Sequence, residues 1–323
     1  MPDWGRSLCG SGECFLLDRH KWRLHRKKGN YCFLDENFRY NPLVDKYRKM
    51  DHYRSFRLGP ALSPYIDCVW AENFFDQPDN GGRFHLIVPD NSVELVISEH
   101  RLERHSADGA VVQHFTSHLT GLKTRPQRIK LDRSCLLSVR FRPHGLARLT
   151  GMDVREFVDR NFDPEAIFGR SFRLLEEALV ETKDWQARLD LIERYFLAML
   201  HRNPSRRDRL FDHLLSSLEA GKGQLPIGEL ANKFNVSIKT LERKCLQHLG
   251  VSPKKYSRLV RLFQALSTDS PASGLNLTDI AYQNGYYDQM HFIKEVKHFT
   301  GMVPGNFFQR DRGIQQAIFN RSQ

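Results

Sequence analysis

The sequence predicts an α+β protein: a β-rich N-terminal barrel or sandwich domain with flanking helices, then an all-α domain of two helix-turn-helix bundles joined by a linker helix. Three observations lead there. Residues 61–142 hold short β-branched and aromatic runs divided by turn residues. After Pro143-His144-Gly145 the apolar period changes from that of a strand to three or four. Residues 221–312 then carry one pattern twice, about 50 residues apart.

The 323 residues suffice for about two domains, each with its own core. A 40% hydrophobic and 27% charged composition is that of a soluble globular chain. The formal net charge of +11 favours a polyanionic partner such as nucleic acid. Cys9, Cys14, Cys32, Cys68, Cys135 and Cys245 share no repeated spacing, which fits a reducing compartment better than a disulfide framework. No stretch has the ~18 successive apolar residues of a membrane span, and Cys14-Phe15-Leu16-Leu17 is too short for a secretory signal. The expected location is the cytoplasm, with no membrane partner.

Residues 1–50 carry a basic run, Lys21-Trp22-Arg23-Leu24-His25-Arg26-Lys27-Lys28, and no period. Two readings stand: a loosely attached tail, or sequence preceding a natural start at Met50. From 51 to 202 the chain reads as an effector-binding or dimerisation domain. Its expected strands are Pro64–Trp70, Phe84–Val88, Val93–Ile97, Val111–Leu119, Arg128–Leu131 and Leu136–Phe141. Leu146, Leu149, Phe157 and Val158 fit short helices. Residues 171–202 fit longer helix, with Phe172, Leu175, Leu179, Trp185, Leu189, Ile192, Phe196 and Leu200 on one stripe. Such a stripe packs on its own core or pairs with a second copy. Asn203-Pro204-Ser205-Arg206-Arg207 is a polar break. Residues 203–220 read as linker and the start of the first bundle helix, and 221–323 as the tandem domain.

Ligand candidates in the first domain are few. Arg140 and Arg142 alternate with Val139 and Phe141, so both face one side of a strand and suit an anion; a solvated outer face is the competing reading. His114 and His118 would share a strand face near His100 and His105. No carboxylate or cysteine completes a ligand set, so no metal site, cofactor or catalytic group is expected.

Each C-terminal copy has the residues that a helix-turn-helix needs. Ala231 and Ala281 let two helices cross closely. Four residues on, Asn235 and Gly285 tolerate positive φ. Ser237 and Asp288 suit the N-cap of the next helix. Leu241 and Phe292 return to the core. Both copies close on Gly-x-x-Pro-x-x-aromatic, Gly250 to Tyr256 and Gly301 to Phe307.

Ile280-Ala281 through Gly285-Tyr286-Tyr287-Asp288-Gln289-Met290-His291-Phe292, with Lys297 and Gly301-Met302-Val303-Pro304, is similar to the signature of the AraC/XylS family. Residues 221–312 resemble that family's DNA-binding domain. Residues 51–200 resemble a β-rich N-terminal domain of some members, through Val88-Pro89-Asp90-Asn91-Ser92 and Val139-Arg140-Phe141-Arg142-Pro143-His144-Gly145. The resemblance implies a transcription regulator with a linker helix over Pro253–Leu266 and one recognition helix per bundle. Its base-facing positions fall on Lys239, Glu242 and Arg243 in the first helix, and on Gln289, Met290, Ile293 and Lys294 in the second. Lys and Arg suit guanine, Glu cytosine, Gln adenine, and the apolar pair a thymine methyl. His291 and Lys297 fall where phosphates are gripped. A solvated helix face is the plain alternative for any one of them. Implied partners are double-stranded promoter DNA, RNA polymerase, a small-molecule effector and a second copy of the chain. An alkylation-repair enzyme carrying the same unit needs a zinc-held cysteine cluster, and Cys9, Cys14 and Cys32 lack a fourth neighbour.

Overall fold

The computed structural model describes residues 53–73, 83–98, 102–105, 111–115, 117–131, 135–202, 208–267 and 276–309. The basic run, the alternative start at Met50 and the polar break at 203–207 lie outside them.

The N-terminal strands form two antiparallel sheets. One holds β1 (Tyr53–Phe56), β2 (Ile66–Asn73), β4 (Val93–Ser98), β7 (His118–Thr120), β9 (Cys135–Phe141) and β10 (Asn161–Phe162), in the order β1-β2-β9-β4-β7-β10. The other holds β3 (Arg83–Ile87), β5 (Leu102–His105), β6 (Val111–Phe115) and β8 (Gln127–Leu131), in the order β3-β8-β5-β6. Both sheets are open, so of the two expected architectures the closed barrel is not the one formed.

The run expected as one strand over Val111–Leu119 is two. Val111–Phe115 pairs with β5, whereas His118–Thr120 pairs with β4 across the bend at Ser117. His114 and His118 therefore lie in different sheets, which corrects the shared strand face expected of them. The strands β1, β5 and β10 were not expected. They are four, four and two residues long, too short for a period to show, and exist through pairing with their neighbours.

One face of the six-stranded sheet carries Val69, Ala71, Leu95, Ile97, Leu119, Leu137, Val139 and Phe141. It is covered by α1 (Gly145–Thr150), α3 (Arg170–Glu181) and α4 (Trp185–Arg202), through Leu146, Leu149, Phe172, Leu175, Ile192 and Phe196. The stripe expected over 171–202 is thus spent on this domain's own core, in two helices. The break falls at 182–184, where Asp184 accepts the Ala187 N–H at 2.8 Å. A short α2 (Pro164–Phe168) precedes them. The opposite face of the sheet is also buried. It carries Trp70, Glu72, Glu94, Ser98, His118, Ser138 and Arg140, so β4 and β9 are enclosed along their whole length.

The C-terminal helices are α5 (Arg209–Ala220), α6 (Ile227–Lys233), α7 (Ile238–Leu249), α8 (Pro253–Ser267), α9 (Leu277–Gln283), α10 (Gln289–Thr300) and α11 (Pro304–Gln309). They share one apolar cluster, from Phe211 and Leu218 through Leu241, Leu262 and Ile280 to Phe292 and Phe307. Val88 and Leu122 of the β-rich region join that cluster. A fully buried side chain of this size contributes about 1.5–3 kcal/mol by leaving water, so the two regions are held together by more than their covalent link.

Candidate nucleic-acid interface

The first helix-turn-helix is α6, a turn and α7. Ala231 is buried, and its carbonyl accepts the Val236 N–H at 3.0 Å to close the turn. Asn235 has φ of 52°, a conformation its short polar side chain tolerates. Ser237 caps α7 by accepting the Thr240 N–H at 3.1 Å, and Gly250 ends it at φ of 78°. The second unit, α9 to α10, repeats this. The Ala281 carbonyl accepts the Tyr286 N–H at 3.0 Å, and Gly285 has φ of 70°. One residue later in register, Asp288 accepts the His291 N–H at 2.6 Å. Gly301, at φ of 72°, ends α10. Both second helices have 12 residues. Leu241, Cys245 and Leu249 seat the first, and Phe292, Val296 and Phe299 the second.

With these residues inward, the opposite faces point to solvent. Lys239, Glu242 and Arg243 are exposed on α7, and Gln289, Met290, Lys294 and Lys297 on α10. Ile293 is half-buried, so α10 presents less to a partner than its sequence implies. His291 is also half-buried and partly engaged. Its Nδ1 accepts the Tyr287 N–H at 3.4 Å, its Nε2 lies 3.7 Å from Glu295 Oε1, and its ring meets that of Tyr286. Gln289 accepts a hydrogen bond from the Thr278 hydroxyl at 2.9 Å, which orients its amide.

Two ion pairs that the sequence reading missed hold these helices. On α7, Lys244 pairs with Asp208, the N-cap residue of α5, which also takes His248 Nε2 at 3.3 Å. Burial alone would raise the Asp208 carboxyl, but Lys244, the Phe211 N–H and His248 hold it below the usual range. On α10, Glu295 accepts Arg258 Nε at 2.9 Å from α8. Lys244 and Glu295 hold matching places on the two reading helices, whereas Asp208 is the N-cap of α5 and Arg258 lies in the second turn of α8. Each reading helix is thus tied by an ion pair to the helix that leads it, with opposite charges at the matching places 244 and 295. Next to the first pair the His248 ring lies 4.4 Å from that of Phe211, tilted against it, and beside the second Arg258 lies 5.1 Å over Phe299. Arg261 adds a second clasp, over the Tyr286 ring at 4.7 Å and donating to the Gly285 carbonyl at 3.3 Å. Burial pushes the Cys245 thiol up to about 12, which makes it a core atom and no nucleophile.

In the N-terminal region Arg140 is not open to a ligand, which corrects its placement in an anion seat. Its Nη1 donates to Asp90 Oδ2 at 2.8 Å and to Glu94 Oε1 at 2.9 Å, and the side chain is buried. A buried guanidinium demands such partners. Arg142 does share its side, as expected, with Asp67 within 3.8 Å of both. Arg142 remains exposed and donates through Nε to the Ser63 carbonyl at 2.7 Å.

Comparison with known proteins matches residues 230–310 to a helix-turn-helix domain family and residues 56–163 to a domain family of unknown function, DUF6597. The HTH-type transcriptional activator RhaS of Escherichia coli O139:H28 is 42% identical over 89 residues, which are 27% of this chain and 31% of that one. Residues 230–310 thus carry a helix-turn-helix domain of the AraC type. RhaS of Pectobacterium carotovorum, 27% identical over 96 residues, covers 30% of this chain and 32% of its own. The chain thus spans about a third of the length of these relatives. Among solved structures, ToxT from Vibrio cholerae O395 is 11% identical at a TM-score of 0.40, covering 71% of this chain and 95% of that one. No helix among the described residues is long and apolar enough to cross a membrane.

Proposed function

We propose that the protein is a sequence-specific DNA-binding transcription regulator. In this reading α7 and α10 enter successive major-groove segments of one promoter, and the N-terminal region modulates them. The observation that carries the proposal is the pair of capped, 12-residue helices, each seated by three apolar residues and each turning a polar row to solvent. Major-groove windows on one face of a duplex recur about every 34 Å, so one chain carries both reading heads without a second copy. Lys239 and Arg243 donate to guanine O6 and N7, and Glu242 accepts from cytosine N4. Gln289 and Lys294 read from the second helix, Met290 touches a thymine methyl, and half-buried Ile293 adds little. Lys297 grips phosphate, with His291 a weaker second. The RhaS relatives are named transcriptional activators, which supports activation and RNA polymerase as a partner. Arg142 is the remaining contact for an anionic effector, and the cytoplasm is the expected location.

Selection of sites from randomised duplex DNA, followed by titration at several salt concentrations, tests this. The expected result is one recovered sequence with a steep salt slope. Arg243→Ala should cost about 1–3 kcal/mol and relax preference at one base pair, while Lys297→Ala should weaken all sequences alike. Equal affinity for selected and random DNA would refute the reading.

A further inference from the structure

The two reading helices are held by different parts of the molecule. The first is held from the β-rich region. Arg148 of α1 is buried, and its Nη2 donates to Asp212 Oδ1 of α5 at 2.6 Å. The same nitrogen reaches the Asp208 carbonyl at 3.5 Å, and the guanidinium sits 6.0 Å from the Phe211 ring. Asp208 in turn holds Lys244 and His248 of α7. Beyond α1, the Val154 N–H donates to the Gln247 carbonyl at 3.4 Å. Gly250 is so close to this segment that a Cβ would lie 2.5 Å from Val158 Cγ2 and 2.8 Å from the Val154 oxygen. The C-terminal half of α7 is therefore clamped by residues 148–158 and the N-cap of α5. The second reading helix has its corresponding tie, Glu295 to Arg258, on the linker helix α8. Its end meets the β-rich region at an apolar contact, Gly301 beside Pro126.

We infer that Arg148 is a positioning residue for the first reading helix: through Asp208 and Asp212 the β-rich region sets the pose of α7, and with it the base discrimination of Lys239, Glu242 and Arg243. This rests on the proposed reading of α7 as a base reader. The clamp grips α7 at Lys244, Gln247, His248 and Gly250, and the base-facing residues occupy the other half. Lys239 lies about 12 Å along the axis from Gln247, at ~1.5 Å per residue. A tilt of about 10° at the clamp therefore carries Lys239 about 2 Å sideways, and hydrogen bonds to base edges do not survive such a shift. A buried guanidinium holds its partners firmly, because leaving it unpaired is costly. A change in the β-rich region that moves α1 thus moves α7, while α10 follows α8.

The test uses the full chain and the site it selects from random DNA. Affinities are measured on duplexes carrying single base changes in either half of that site. The wild-type chain should discriminate by about tenfold or more per changed base in both halves. Arg148→Met should bring discrimination in the first half to within about threefold and leave the second half as it was. Arg148→Lys should restore much of it, and Arg258→Met should show the reverse asymmetry. Asp212→Asn, which trims only the half-exposed side of the clamp, should give the same asymmetry more weakly and stands in if Arg148→Met does not fold. Unchanged discrimination, or equal loss in both halves, overturns the inference. A wild-type chain that selects no site overturns the proposed function first, and this inference with it.

Discussion

The first and second helix-turn-helix units agree in backbone and differ in chemistry. Ala231 and Ala281, Asn235 and Gly285, Ser237 and Asp288, Gly250 and Gly301 do the same work at matching places. Yet the tie between each reading helix and the helix that leads it runs from Asp208 to Lys244 in one unit and from Arg258 to Glu295 in the other. Both reading helices are held by an ion pair from the leading helix, but the matching positions 244 and 295 carry opposite charges and their partners sit at different places on α5 and α8. The reading faces differ too: Lys239, Glu242 and Arg243 against Gln289, Met290 and Lys294. What is shared is what a close helix crossing requires, and what differs is what a partner or a neighbouring domain meets.

That comparison can be broken in several ways, and deleting core volume should have the largest effect. Phe292 and Leu241 are both fully buried and belong to one apolar cluster. Phe292→Ala should cost about 3–5 kcal/mol and Leu241→Ala about 2–5. Each should lower a single shared denaturant transition, and two separate transitions would show that the units are independent. Next is acidification, which should act where the β-rich region meets the first unit, at His144 beside Phe211. Burial, then Arg148, lowers His144 to about 4, and His248 beside it is lowered by burial as well. A histidine depressed in the fold contributes fully above its ordinary pKa near 6.5, and the contribution is lost as pH falls toward the folded value. Thermal melts between pH 7 and 4 should therefore show a loss of about 3 kcal/mol, reduced in His144→Phe. Third, Glu295→Gln leaves Arg258 half-paired and should cost about 2 kcal/mol. Exchanging the two charges, R258D with E295K, should recover at least half of it in a double-mutant cycle. No recovery would mean that polarity is not free. The smallest effects are at the turns. Gly285→Ala, at φ of 70°, should cost about 1–2 kcal/mol. Asn235→Gly should change stability by only about 0.5 kcal/mol.

Much of the tandem domain was legible because its geometry is written in single residues. A positive-φ turn needs Gly or Asn, a helix start needs Ser or Asp, and both stand where the fold uses them. The ion pairs were not legible, since their members lie 36 and 37 residues apart and look like ordinary surface charges one at a time. The N-terminal region was harder for the same reason. Alternation placed Arg140 and Arg142 on one side of β9, but nothing local says that Asp90 and Glu94, 50 and 46 residues away, close over Arg140 and leave Arg142 outside. Nor does the run from Val111 to Leu119 say that its two ends join different sheets. Ile293 matched a base-facing position and His291 a phosphate-facing one, yet how far each is drawn toward the helix core depends on Tyr286, Glu295 and the packing of α10.

The exchanged charges also bear on how a duplicated chain keeps its halves apart. Two similar helix sets joined in tandem invite crossed assembly, with α5 folding against α10 or α8 against α7. The first error would bring Asp208 to Glu295, the second Arg258 to Lys244, and like charges at a partly buried place disfavour both. A gene in which one repeat had overwritten part of the other would meet the same repulsion. The inverted tie therefore serves as an address label, by which each reading helix finds the helix that belongs to it.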